Sequence, residues 1–155
     1  DRVRGPGTVF LTGGSTALLF GWRQMTVDID LKAAPEPGGF FDAIADLKDE
    51  LNMNVELTSP DQFIPELPGW RERSLFIARH GQVDFFHYDP VAQCLAKIER
   101  GHGRDLVDVT AMLERKMVSR EKLWESAPSG RAAPQQAAGL PKRRAAHIPQ
   151  TPRPA

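Results

Sequence analysis

The sequence predicts an α+β fold, a small mixed β-sheet packed with helices, and three observations point to it. An apolar run at residues 8–11 and an alternating stretch at residues 26–32 have strand character near the N-terminus. Apolar residues then recur at three- and four-residue spacing in three later segments, the signature of helices burying one face. Finally, the elements follow the order strand, helix, paired strands, helix, which suits a mixed sheet with helices laid on it.

In order along the chain, residues 1–7 are charged and contain Gly and Pro, consistent with a leader or the end of a preceding element. The first strand, Thr8, Val9, Phe10 and Leu11, runs into Gly13, Gly14 and Ser15, after which Thr16 to Phe20 read as the opening of a helix. At residues 26–32, Val27, Ile29 and Leu31 alternate with Asp28, Asp30 and Lys32, so burying the apolar face sets both carboxylates side by side on the other. Pro35 to Gly39 break the chain, and Phe41, Ile44, Leu47 and Leu51 then predict an amphipathic helix closed at residues 52–54. Val55, Glu56 and Leu57 form a short strand with its carboxylate opposite to its apolar neighbours. Residues 62–73 are Pro-rich and hold Trp70, an ordered loop. Residues 75–78 and 83–88 flank a turn at His80 and Gly81 and predict a hairpin. Asp89 and Pro90 supply an N-cap and a first-turn proline for a helix with Val91, Leu95 and Ile98 inward, ending near Gly101. Leu106, Val109, Leu113 and Met117 mark the buried face of the next helix, and Ser119 caps a last one through Trp124. From Ala127 the composition turns to Pro, Ala, Gln and Arg, too poor in large apolar residues to offset its ordering entropy. The expected organisation is therefore one domain over residues 1–126 and a disordered low-complexity tail over 127–155.

Composition narrows the function classes. Lys and Arg number 20, as do Asp and Glu, so no global basic field announces nucleic acid. Cys94 is the single cysteine, which excludes an internal disulfide framework and a cysteine-based zinc site, and a reducing cytoplasmic setting fits best. No apolar run approaches membrane-spanning length, so no membrane partner is expected. The sequence opens at Asp1 instead of methionine and reads as a fragment or trimmed chain, leaving upstream signals open. His80, His87, His102 and His147 are scattered without zinc-ligand spacing.

Two constellations carry chemistry. Asp28 and Asp30, adjacent on one strand face, repel each other unless a cation lies between them, and hard oxygen ligands of this kind suit Mg²⁺ held jointly with phosphates. The turn at Gly13, Gly14 and Ser15 lets an anion approach the backbone closely. Either feature alone is unspecific. Together, with twelve residues between Ser15 and Asp28, they resemble the signature of the polymerase-β-like nucleotidyltransferases, although the Trp22 and Arg23 in that spacer depart from it. The second constellation, KIERGHGRDLVD at residues 97–108, gathers Lys97, Arg100, Arg104, Asp105 and Asp108, with Arg104 four residues before Asp108 and able to pair with it. By itself it reads as an exposed helix laced with ion pairs. In its place downstream of the first motif it looks like the second motif of the abortive-infection toxin type of these transferases.

The resemblance spans roughly residues 10–113 and implies transfer of a nucleoside monophosphate from a nucleoside triphosphate (NTP) to a hydroxyl of RNA, tRNA or protein. It implies Mg²⁺ or Mn²⁺ as cofactor on Asp28, Asp30 and a third carboxylate, for which Glu56 is the first candidate and Asp84 the rival. Gly13, Gly14 and Ser15 would cradle phosphates, Lys97 would act as a point charge, and Arg100 or Arg104 would form bidentate bonds to them, with Asp105 completing the motif. A cognate antitoxin is an implied partner. The alternative is a catalytically silent module of the same fold, acting as a partner within a toxin–antitoxin pair. A metal-dependent phosphohydrolase is weaker, because its usual His/Asp clusters are absent.

Overall fold

The structure, a computed structural model, describes residues 2–128. It is the mixed α+β architecture expected: five strands in one sheet and six α-helices among the described residues. The tail from residue 129 onward, with Lys142, Arg143 and Arg144, lies outside the described residues.

β1 (Gly7–Thr12) is the central strand, in the sheet order β3-β2-β1-β5-β4. It pairs antiparallel with β2 (Asp28–Ala33) on one side and parallel with β5 (Val83–His87) on the other. β2 pairs parallel with β3 (Asn54–Glu56), and β5 forms the expected hairpin with β4 (Leu75–His80), bulged between Phe76 and Ala78. The N-terminal residues are less of a leader than their composition suggests. Arg4 bridges to Gly38, and Gly7 already belongs to β1.

Helices cover both faces. α2 (Phe40–Leu51) lies on the side of Val9, Leu31, Val55 and Val83, packing Phe40 and Ile44 against them. The opposite side carries Phe10, which packs with Trp70, Tyr88, Val91, Leu95, Val109 and Met112. Trp70 opens α3 (Trp70–Arg73) and stacks on Tyr88 at 4.6 Å, so the Pro-rich stretch is ordered around a buried aromatic. α4 (Pro90–Arg100) is buried almost all round from Pro90 to Lys97. Its caps are as the sequence indicates: Asp89 accepts from the Val91 N–H at 2.9 Å, and Gly101 ends it in the left-handed region. α5 (Gly103–Glu114) and α6 (Arg120–Ser126), the latter capped by Ser119, complete this layer.

Three details differ from the sequence expectation. Val27 is not on the buried strand face. It is 72% exposed and precedes β2, because β1 ends at Thr12 opposite Asp30 and β3 begins at Asn54 opposite Asp28, leaving no partner before Asp28. The inward face of α2 is rotated by one position, to Phe40, Ala43, Ile44 and Leu47, which satisfies helical spacing equally well and leaves Phe41 and Leu51 exposed. In α5 the inward face holds Asp105, Asp108, Val109 and Met112, while Leu106 is 42% exposed. The carboxylates face inward because cations from α4 and from the loop after α1 meet them there.

Candidate functional site

Register along β2 and β3 builds the first half of the site. Asp28 lies opposite Asn54 and Asp30 opposite Glu56, so these four side chains share one sheet face, that of Lys32 and its partner Phe10. Asn54 Nδ2 donates to Asp28 Oδ1 at 3.0 Å and to Glu56 Oε1 at 2.8 Å, holding the outer two acids in one arrangement. Asp30 has its carboxyl held above the ordinary range, chiefly by burial and then by the negative charges of Glu56 and Asp28. Lys97 and Arg100 pull in the opposite direction without cancelling these effects. Asp84, the other sequence candidate beside Asp28 and Asp30, sits on β5, two strands from β2, where Arg79 binds it with two hydrogen bonds and lowers its pKa. Of the two sequence candidates, Glu56 is the one that stands beside Asp28 and Asp30.

The glycine turn forms the second half, where α1 (Gly13–Leu19) opens directly after β1. Gly13 has φ +61°, and a Cβ there would stand 2.6 Å from Asp30 Oδ2; at Gly14 it would stand 2.2 Å from Thr26 Oγ1. Both positions need the missing side chain. The turn is thus pressed against the acid row. Ser15 is buried, and its Oγ has no hydrogen-bond partner among the described residues. A buried hydroxyl without a partner costs free energy, and a phosphate oxygen would satisfy it.

Support for this turn comes from residues the sequence reading missed. Gln93, buried in α4, accepts the Gly13 N–H at 3.1 Å and donates from Nε2 to the Tyr88 carbonyl and to Thr16 Oγ1. His87 Nδ1 lies 3.2 Å from the same Thr16 oxygen, and burial lowers the pKa of this ring. Gln93 had no signal of its own, since a helix buried all round does not reveal which polar side chain is structural.

The second constellation is a buried ionic cluster. Asp108, fully buried, receives Lys97 Nζ at 2.7 Å, Arg23 through Nε at 3.0 Å and Nη2 at 2.7 Å, and the Trp22 indole N–H at 3.0 Å. Asp105 sits 3.4 Å from Lys97 and 3.4 Å from Arg100. Three cations thus face two carboxylates, leaving one positive charge over, and Lys97 and Arg100 act on Asp30 through space. Arg104 does not pair with Asp108. It is exposed, while Asp108 faces inward and is already surrounded by other donors. Trp22 and Arg23 come from the spacer between the glycine turn and Asp28, so they join the two constellations into one unit. Their signal was present only as two large polar-tipped side chains in an otherwise short connection.

Among the described residues, no three His, Cys, Asp or Glu side chains converge to hold a metal ion unaided. The donors fit a smaller demand. Mg²⁺ takes one or two carboxylates and completes its shell with water and substrate phosphates, and the burial and carboxylate repulsion that raise the pKa of Asp30 are what a cation would offset. No helix among the described residues is long and apolar enough to cross a membrane. Comparison of the chain with protein-family models, with curated proteins and with solved structures found no match in any of the three.

Proposed function

We propose that the protein is a nucleotidyltransferase, moving a nucleoside monophosphate from an NTP to an acceptor hydroxyl of RNA, tRNA or protein, in the cytoplasm. The observation that supports this reading is the row Asp28, Asp30 and Glu56, with no cation in direct contact among the described residues, set against a glycine turn whose Ser15 Oγ is buried and has no hydrogen-bond partner among the described residues.

In this reading the turn at Gly13 to Ser15 receives the phosphates, and Arg100, half-exposed at the end of α4, adds a positive charge to them. Asp28 and Asp30 hold Mg²⁺ or Mn²⁺. When bound, the ion screens the acid row and neutralises charge building on the phosphates. The acceptor oxygen forms a bond to the α-phosphorus as the bond to the pyrophosphate leaving group breaks. Glu56, exposed at the sheet edge and oriented by Asn54, takes the proton of the acceptor hydroxyl. Lys97 works indirectly, by fixing Asp108 and Asp105 and by placing positive charge near Asp30. Positioning and charge neutralisation supply the catalysis, and no nucleophilic side chain is needed.

One observation favours the silent module instead: Asn54 already joins Asp28 and Glu56 by hydrogen bonds, an arrangement that persists without a cation. Incubation with each α-labelled NTP, Mg²⁺ and total cellular RNA or protein separates the two. The transferase incorporates label into an acceptor and loses this on chelation. The silent module incorporates none with any NTP.

A further inference from the structure

Phe63 presents an exposed ring beside the acid row, and the chain around it is built to keep it there. Beyond β3, the 3₁₀ turn Pro60–Gln62 lies over the sheet face that carries Asp28 and Asp30. Its Asp61 accepts from Lys32 Nζ at 2.6 Å, and Lys32 is the next residue after Asp30 on that face. The Phe63 N–H donates to the Pro60 carbonyl at 2.9 Å, and Gln62 Nε2 donates to the Leu57 carbonyl at 3.0 Å, so the turn is fastened at both ends. Pro60 is buried, and Ile64 packs into the core beside Phe10, while Phe63 between them is 37% exposed. Over its ring, 5.0 Å from the centroid, stands Arg100, the only cation or aromatic group stacked on it among the described residues. The same guanidinium lies 3.4 Å from Asp105 and acts on Asp30 through space, so one cation joins the ring to the acid row. A single exposed apolar side chain is ordinary in itself. This one differs by its place, and an aromatic ring on a fixed turn offers a stacking face at small entropic cost.

We propose that Phe63 stacks the base of the NTP, with Arg100 as the positioning residue that holds the ring beside the acid row. This rests on the nucleotidyltransferase reading and adds to it the subsite for the base. Stacking uses the π-face that every base has, so the ring holds purines and pyrimidines alike and selects weakly among them.

The test uses the full chain with Mg²⁺, calorimetric titration with ATP and with inorganic tripolyphosphate, and circular dichroism to follow folding. The wild type is expected to bind both. Phe63→Ala should weaken ATP binding about 5- to 150-fold, the range that stacking of one base spans on alanine substitution, and leave tripolyphosphate binding as in wild type. Phe63→Trp, which keeps an aromatic face, should retain ATP binding. Unchanged ATP affinity in Phe63→Ala overturns the proposal, because the ring is then not used. An equal loss of both ligands also overturns it, because the residue then acts only through the fold. Should Phe63→Ala fail to fold, Phe63→Trp decides: ATP should quench its emission beyond the quenching seen in wild type and tripolyphosphate should not, and quenching equal to that of wild type overturns the proposal. A wild type that binds tripolyphosphate but not ATP overturns the base subsite alone, whereas binding of neither ligand overturns the nucleotide reading with it.

Discussion

Two regions of this molecule each set acids side by side, two residues apart on a strand and three apart on a helix, and they differ in what surrounds them. On β2 and β3, Asp28, Asp30 and Glu56 stand on one face, an Asn amide donates to Asp28 and Glu56, and the central carboxyl of Asp30 is held above its usual range. In α5, Asp105 and Asp108 are more deeply buried yet surrounded by Lys97, Arg23, Arg100 and the Trp22 indole. The second region has the opposite charges that buried carboxylates demand, although Asp105 Oδ2 makes no hydrogen bond among the described residues. The first has less of it: one amide donates to the outer two acids, and Lys97 and Arg100 reach Asp30 only through space. Spacing identifies acids as neighbours; compensation separates scaffold from site.

The largest expected effect breaks the scaffold. Asp108→Ala leaves two cations beside an empty buried position and should cost about 3–5 kcal/mol of stability, the range for removing one partner of a buried pair. Urea denaturation measures it. A loss under about 1 kcal/mol would mean that the cluster is solvated and that the contrast drawn above is wrong.

Gly13→Ala should come next, at about 1–2 kcal/mol, because alanine is strained at φ +61°. Its methyl would also meet Asp30 Oδ2 and displace that carboxylate, so nucleotide transfer should fall further than stability does. Equal activity in this variant would separate the turn from the acid row.

Asp30→Asn should have the opposite sign to Asp108→Ala. The folded pKa of Asp30 is raised, so between about 3.9, the ordinary value of an unfolded Asp, and that raised value the native state binds more protons than the unfolded one. Its contribution to stability is therefore present at low pH and lost as pH rises through the folded pKa. The melting temperature of Asp30→Asn relative to wild type should increase across this acidic window and then level off. A difference that shrinks with rising pH would contradict the assigned repulsion. The smallest effect is expected at Asp84→Asn, in the exposed hairpin pair with Arg79, which should leave nucleotide transfer unchanged.

Much of the fold was legible in the sequence because its signals are local. The Asp89 cap, the left-handed residues Asn52 and Gly101 at helix ends, and the hairpin turn at Gly81 each state their own geometry. Period two placed Asp28 and Asp30 on one face for the same reason. What was not legible depends on partners distant in sequence. Glu56 was the first candidate through resemblance and not through any local signal, since it stands opposite Asp30 only through the parallel pairing of β2 and β3. The inward turn of Asp105 and Asp108 depends on Lys97 and Arg23, which apolar periodicity ignores, so Leu106 was given a buried place it does not hold. Gln93 and Thr16 fasten the glycine turn from within a layer where polar and apolar residues are buried alike.

The central claim, that the acid row serves nucleotide transfer, is tested most directly by the Asp28→Asn, Asp30→Asn double variant in the labelled-NTP assay with Mg²⁺. It should fold, as shown by an unchanged circular dichroism spectrum, and its transfer rate should drop by at least about 10²–10³-fold relative to wild type, the scale of losing one electrostatic group at a reacting centre. Transfer by this variant at the wild-type rate would contradict the claim.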